Sequence, residues 1–314
     1  MISVRLFVQT SILASLFLAF NPSYVICAQG AGSSEAVSIY LTAHDEKGRA
    51  VLDLKPEDFR VADNGNNRTI VELITPDKTP RLTIGVLFDV SESESVMIPQ
   101  NAEADLRVFF KSTFRPGDRA FVGEFGLSFR PLSAFSDDPA YLASSVSAAG
   151  KAHGQTAFYD AVLAVLMHQL AGVEGRKALV ILSDGKSNAG HVSMSQSIEA
   201  LRRDDITVYT ILVDPPHVGP TGKAPVILFP KYVEGFDPMV VFPKVTGGFE
   251  EFGNDDKQLI EAFGRIAESL RSTYEVICAA GPSDHDGKFH KLKLKMNRKG
   301  TQIFAPDGYY AHNN

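Results

Sequence analysis

Three unbroken apolar segments, each the length of one strand, constrain the fold of this chain most strongly. They are "LTIGVLFD" (82–89), "KALVILSD" (177–184) and "ITVYTILVD" (206–214). Strands of a parallel sheet are apolar throughout because helices cover both of its faces. Segments with helical apolar spacing alternate with these strands or follow them, at 101–114, 158–172, 193–205 and 256–273. The pattern predicts an α/β fold with a doubly wound, mostly parallel sheet. Shorter strands are expected at 119–126, 132–135 and 247–252.

The segments on both sides of this central region have the alternating pattern of short, half-buried strands. On the N-terminal side, the turn signal Asp63-Asn64-Gly65 within 37–79 predicts a hairpin. On the C-terminal side, 285–312 alternates lysines with apolar residues. Neither flank is long enough to bury a two-sided core by itself. We therefore expect the two flanks to pack together beside a central domain of residues 80–281.

The first 28 residues differ from the rest of the chain. A positively charged start precedes "LFVQTSILASLFLAF" (6–20), and a small residue, Ala28, ends the segment. This is the pattern of a secretory signal peptide that is cleaved after Ala28. A lipid on Cys27 and an uncleaved membrane anchor are the alternatives. We expect an exported protein, periplasmic or secreted, with a flexible leader at 29–36.

Charge and cysteine content argue against a nucleic-acid binder and against a fold that is stabilised by disulfides. The formal net charge of −6 argues against a nucleic-acid binder, which must neutralise phosphates. After cleavage Cys278 would be the only cysteine left, so no internal disulfide is expected. The apolar core must then hold the exported domain together. After cleavage of the signal peptide we expect no membrane insertion.

The first apolar strand leads directly into an acid that is followed by alternating hydroxyl groups. In "VLFDVSESES" (86–95), Asp89 is followed by Ser91 and Ser93, which extended backbone places on one side. Ligands of doubly wound sheets bind beyond the carboxyl ends of the strands, where "ILSDG" also puts Asp184. Carboxylate and hydroxyl oxygens suit a small hard cation such as Mg²⁺. The sequence thus points to a metal site at this edge.

Other kinds of site fit this stretch less well. A nucleophile elbow requires Gly-x-Ser-x-Gly, which none of these serines has. No glycine-rich phosphate loop follows Asp89, and Ser91 stands where an aspartyl-phosphate enzyme would carry its second acid. A serine nucleophile would need a base, and the nearest histidines, His153 and His168, have no evident link to it.

Three segments in this order resemble the metal-ion-dependent adhesion site of von Willebrand factor type A domains. They are "DVSES" (89–93), "HGQTAFYDAV" (153–162) and "ILSDG" (181–185). That family has a Rossmann-like sheet and binds Mg²⁺ at its top; for this chain Mg²⁺ is expected, with Mn²⁺ or Ca²⁺ as alternatives. The resemblance implies a metal site formed by Asp89, Ser91, Ser93, Thr156 and Asp184. "DLKPEDFRVADNG" (53–65) and "GYYA" (308–311) also resemble the flanks of secreted, notably acidobacterial, proteins built around such a domain.

The resemblance implies a non-enzymatic binding module. Neutral hydroxyl ligands leave much of the charge of a dication uncompensated, so an acidic residue of a protein partner would be attracted to it. Two alternatives stay open: an envelope scaffold with a structural or vestigial metal site, and a metal-assisted hydrolase with Glu92 or His153 as base. Glu92 and Lys186 depart from the family pattern, and Lys186 could lower the affinity for metal. The oligomeric state cannot be read from the sequence.

A proline-rich stretch follows the strand that ends at Asp214. Residues 215–243 contain seven prolines in 29 positions and no evident helix or strand. Loops of this length are usually functional or disordered. Strand alternation puts the segment at the same edge as the predicted metal, so packing, a hairpin or direct contact with a partner are all open.

Overall fold

The computed structural model describes residues 36–91, 101–150, 154–213, 237–281 and 285–311. Our predictions for the signal peptide, for most of the leader, for Ser93 and for most of 215–243 lie outside these residues. Among the described helices, none combines the length and the apolar character needed to cross a bilayer.

In chain order, the strands are β1 (Val37–Asp45), β2 (Phe59–Asp63), β3 (Asn66–Arg68), β4 (Ile70–Ile74), β5 (Leu82–Asp89), β6 (Arg119–Phe125), β7 (Phe129–Pro131), β8 (Arg176–Ser183), β9 (Ile206–Leu212), β10 (Glu250–Phe252), β11 (Tyr274–Cys278), β12 (Phe289–Met296), β13 (Thr301–Phe304) and β14 (Gly308–Tyr310). The helices are α1 (Ala102–Thr113), α2 (Pro139–Ser144), α3 (Phe158–Val165), α4 (Met194–Arg203), α5 (Pro238–Thr246) and α6 (Asp256–Arg271). A π-helical turn, Leu166–Leu170, continues α3.

The central sheet has six strands in the order β10-β9-β8-β5-β6-β7. All neighbours are parallel except β7, which runs antiparallel to β6. Every residue of β5 is buried, because β5 lies between β6 and β8 and is covered on both faces. The predicted α/β class with a doubly wound, mostly parallel sheet is therefore confirmed.

Two separate apolar cores cover the two faces of this sheet. On one face, α1, α2 and α6 contribute residues such as Leu106, Leu142 and Phe263. On the other face, α3, α4 and α5 contribute Phe158, Leu201 and Phe242. Because strand side chains alternate between the faces, even-numbered residues of β5 belong to the first core and Leu87 to the second.

The segments on both sides of the central region form two four-stranded sheets. Their strand orders are β13-β1-β11-β4 and β14-β12-β2-β3, so strands from both ends of the chain lie side by side. A third apolar core includes Ile39, Phe59, Tyr274 and Leu292. Strand β11, which the sequence-based boundary placed in the central domain, pairs with β1 and β4. The domain limits themselves stay a prediction.

The local structure agrees with the sequence-based prediction at the hairpin and differs from that prediction at two other places. Asn64 and Gly65 link β2 to β3 with φ angles of 48° and 86°, the left-handed backbone of a two-residue hairpin turn. The strand expected at 132–135 lies instead at Phe129–Pro131, where it pairs with β6. Residues 239–242, which looked like part of a loop or hairpin, are in α5, with Met239 and Phe242 buried.

Candidate metal site

Two of the predicted acids lie at the same edge of the central sheet. Asp89 is the last residue of β5, and Asp184 directly follows Ser183, the last residue of β8. Since β5 and β8 are parallel neighbours, their carboxyl ends meet at this edge. Both acids are buried, with exposures of 4% for Asp89 and 2% for Asp184.

The carboxylate of Asp89 is held by neutral donors. The Ser183 hydroxyl donates to Asp89 Oδ2 at 2.6 Å, and the Ser91 N–H donates to Oδ1 at 3.0 Å. Burial raises the pKa of Asp89 above its ordinary value; the bonds from Ser183 and Ser91 oppose the increase, and the Asp184 carboxylate adds to it. Sequence reasoning missed Ser183, although its position beside Asp184 at the end of a buried strand was the signal.

Thr156 stands on a loop that is tied to the chain following Asp184. Its N–H donates to Asn188 Oδ1 at 2.8 Å, and its carbonyl accepts from the N–H groups of Asn188 and Ala189, each at 3.0 Å. The next residue, Ala157, donates its N–H to the carbonyl of Gly126, just beyond β6. These bonds use the backbone of Thr156 and hold its loop at the edge that carries Asp89. Asn188 is the second residue that the sequence did not reveal.

Lys186 engages both oxygens of the Asp184 carboxylate. The Lys186 N–H donates to Oδ1 at 2.9 Å, and its ammonium group donates to Oδ2 at 2.6 Å. The Lys186 side chain is 57% exposed, whereas that of Asp184 is 2% exposed. Lys186, a residue that departs from the family pattern, thus contacts Asp184, one of the predicted metal ligands.

A third buried acid, Asp237, lies close to this edge and was not predicted. It caps the N-terminus of α5 by accepting the Met239 N–H at 2.8 Å. Gly185 has φ of +76°, and a Cβ there would stand 3.0 Å from Asp237 Oδ1, so only glycine lets the two segments approach. Burial raises the pKa of Asp237, and Asp184 adds to the increase. The dipeptide Asp237-Pro238 is a helix-start signal that the proline-rich surroundings obscured.

The residues present fit a hard cation by the chemistry of their donors. Asp89, Ser91, Thr156 and Asp184 offer only oxygen atoms, and all four are buried. Within the described part of the chain, no three His, Cys, Asp or Glu side chains group as a metal site, so the set depends on its hydroxyl groups. Ser93, the remaining predicted ligand, lies outside the described residues.

Comparisons with known proteins find similarity in structure. No protein-family model and no curated protein matches the chain. A solved structure of von Willebrand factor type A from Catenulispora acidiphila matches 90% of this chain and 76% of its own, at 10% identity and a TM-score of 0.48. The chain resembles a von Willebrand factor type A domain. The resemblance to acidobacterial proteins in particular stays a prediction.

Two further structures have the same general similarity. Conserved hypothetical protein BatB from Bacteroides thetaiotaomicron is 15% identical, and the match covers 61% of this chain and 100% of the solved BatB chain at a TM-score of 0.42. Proximal thread matrix protein 1 from the mussel byssus, solved with a zinc-occupied MIDAS motif, is 16% identical; the match covers 64% of this chain and 48% of that one at a TM-score of 0.46.

Proposed function

We propose that this chain is an exported, non-enzymatic binding module that captures an acidic residue of a protein partner through a divalent cation. The cation is Mg²⁺, with Mn²⁺ or Ca²⁺ as alternatives, and its ligands come from Asp89, Ser91, Ser93, Thr156 and Asp184. The partner binds at the carboxyl edge of the central sheet.

One observation carries this proposal. Asp89 is 4% exposed, and in the described part of the chain its two oxygens accept hydrogen bonds only from neutral groups. An ionised carboxylate in such a place is costly unless a cation compensates it. A metal ion beside Asp89 would supply that charge.

The protein would hold the ion mainly by preorganisation. Ser183 fixes one oxygen of Asp89, and Asn188 fixes the loop that carries Thr156, so the ligands need little rearrangement. A bound dication would offer an incompletely neutralised charge and an open position. The strongest ligand that a protein partner can present there is a carboxylate, because a charge-assisted contact replaces water.

The test uses the full mature chain as bait in an envelope extract, with Mg²⁺ or with EDTA. We expect Mg²⁺-dependent capture by the wild type and none by Asp89→Ala, and calorimetry should show Mg²⁺ binding for the wild type alone. Asp137→Ala is the matched control: Asp137 is exposed and follows Ser136, which pairs with Ala120 at the opposite edge of the sheet. Capture that persists in EDTA or in Asp89→Ala would refute the proposal.

A scaffold with a structural or vestigial metal site is the second candidate. The observation that favours it is the ammonium group of Lys186, which supplies a positive charge to Asp184 without any metal. Calorimetry separates the two candidates, because a scaffold with a vestigial site would give no heat of Mg²⁺ binding at millimolar concentrations.

A further inference from the structure

Lys186 gives the candidate metal site a cation of its own. The Asp184 carboxylate is held on both oxygens by this one residue, through its backbone N–H at 2.9 Å and its ammonium at 2.6 Å. The two interactions differ in kind. The bond to the N–H is part of the tight loop after β8, whereas the ammonium is at the end of a flexible, largely exposed stem.

The contact contrasts with the surroundings of Asp89. Both acids are buried to a similar degree, but only Asp184 has a protein cation within contact distance among the described residues. A third buried acid, Asp237, lies next to Gly185. Lys186 therefore compensates negative charge in the half of the site where acids accumulate.

We propose that Lys186 is a tethered competitor for the cation and sets the affinity of the site. This inference rests on the proposed function. When a dication enters, the ammonium either leaves Asp184 or stays close to the ion at a cost in repulsion between like charges. In both cases part of the binding energy of the ion is offset, and cation affinity is lower than the oxygen ligands alone would give. Because more than half of the Lys186 side chain is exposed, its departure costs little packing.

The same arrangement couples the cation to the acidic partner. A carboxylate that arrives at the ion offers the released ammonium a new acceptor, so the state without the Lys186–Asp184 contact is stabilised by the partner. Cation and partner should then each raise the affinity for the other, as any two ligands that favour one state do. The site would fill when a partner is present and stay largely empty when it is absent.

The experiment measures the Kd for Mg²⁺ alone by calorimetry on the full mature chain. We expect Lys186→Met to bind Mg²⁺ about tenfold more tightly than the wild type, and Lys186→Arg to resemble the wild type because it keeps the charge. Lys111→Met is the control with the same change in net charge. Lys111 is in the last turn of α1, which returns the chain to the opposite edge of the sheet.

A second measurement guards against indirect effects. Thermal unfolding in EDTA should occur at a lower temperature for Lys186→Met than for the wild type, because the buried Asp184 carboxylate loses its cation. Added Mg²⁺ should raise the unfolding temperature of Lys186→Met more than that of the wild type. Equal Mg²⁺ affinities in the two proteins would overturn the inference and leave the proposed function standing. Absence of Mg²⁺ binding in both would overturn the inference together with the proposed function.

Discussion

Two buried aspartates, one in a flanking sheet and one in the central sheet, have equal exposure and opposite environments. Asp63 and Asp89 are each 4% exposed. Asp63 contacts the guanidinium of Arg68 at 2.5 Å, His290 Nδ1 at 2.9 Å and the Tyr309 hydroxyl at 2.9 Å. Asp89 contacts a serine hydroxyl and a backbone N–H. Burial alone therefore does not decide what a carboxylate does in this protein; the charge of its partners does.

The pKa values of the two acids differ in direction for the same reason. Burial acts to raise the pKa of Asp63, but hydrogen bonds from Arg68, Tyr309 and His290 outweigh it and hold the pKa below its ordinary value. At Asp89 burial dominates and the pKa is raised. The negative charge of Asp63 is compensated inside the fold, where the contacts of its carboxylate link β2 to β3, β12 and β14. In the described part of the chain, Asp89 has only neutral hydrogen-bond donors and no cationic side chain in contact.

The largest effect should come from removing Asp63. Asp63→Ala leaves the largely buried Arg68 and the buried His290 without the carboxylate that they share, and we expect a loss of about 3–5 kcal/mol in the free energy of unfolding. Asp89→Ala, measured in EDTA, should lose much less, because its partners are neutral and it carries an unfavourable buried charge. Denaturant unfolding of the two variants beside the wild type gives both values. An equal loss in both would show that the contrast between the two sites is not one of charge compensation.

The next effect concerns pH and has opposite signs at the two sites. The folded pKa of Asp63 lies below its unfolded value of about 3.8, so its contribution to stability is complete above that pH and is lost as the pH falls further. The folded pKa of Asp89 lies above the same unfolded value, so protonation on acidification favours the folded state.

Unfolding free energies of metal-free protein between pH 7 and pH 3 measure this difference. Asp63→Asn should lose less stability than the wild type as the pH falls below about 4. Asp89→Asn should lose more than the wild type on acidification, since a favourable protonation has been removed. Identical pH profiles for the two variants would contradict the assignment of opposite charge environments.

The central sheet was predictable because its information is local, whereas the Asp63 cluster was not. An unbroken apolar run such as β5 identifies a covered strand without knowledge of its neighbours, and the Asn64-Gly65 turn requires only two residues. The partners of Asp63, by contrast, include His290 and Tyr309, which are 227 and 246 positions away in sequence. No short-range pattern reports such a contact.

The two errors of secondary structure also have physical causes. Strand β7 has three residues and lies at the sheet edge, where a single neighbour specifies little of its position. Helix α5 contains Pro243, which usually marks a helix end, but Met239 and Phe242 of its apolar stretch are buried against the sheet. Tertiary burial decided the outcome there. At the candidate metal site, Asp89 and Asp184 were evident from their place after buried strands, while Ser183 and Asn188 act through contacts with distant segments.

The smallest predicted effect comes from removing a neutral donor to Asp89. The experiment tests whether such donors orient the carboxylate for cation binding. Ser183→Ala removes the hydroxyl that donates to Asp89 Oδ2 and accepts the Gly185 N–H. Loss of one such hydrogen bond is worth about 1 kcal/mol, so Mg²⁺ should bind about fivefold more weakly. Calorimetry measures the Kd. Ser112→Ala is the control, because Ser112 donates only to the Phe109 carbonyl near the far end of α1.

The direction of that change distinguishes two roles of Ser183. If the hydroxyl serves only to satisfy a buried carboxylate, its loss leaves the charge of Asp89 less compensated, so Mg²⁺ would bind more tightly in Ser183→Ala. If it orients the carboxylate toward the other ligands, its loss lets Asp89 rotate and the affinity falls. The bond at 2.6 Å from a side chain that is fully buried favours orientation, since neither group has room to move while the bond exists. Tighter binding would show instead that the charge of Asp89, and not its geometry, governs the site.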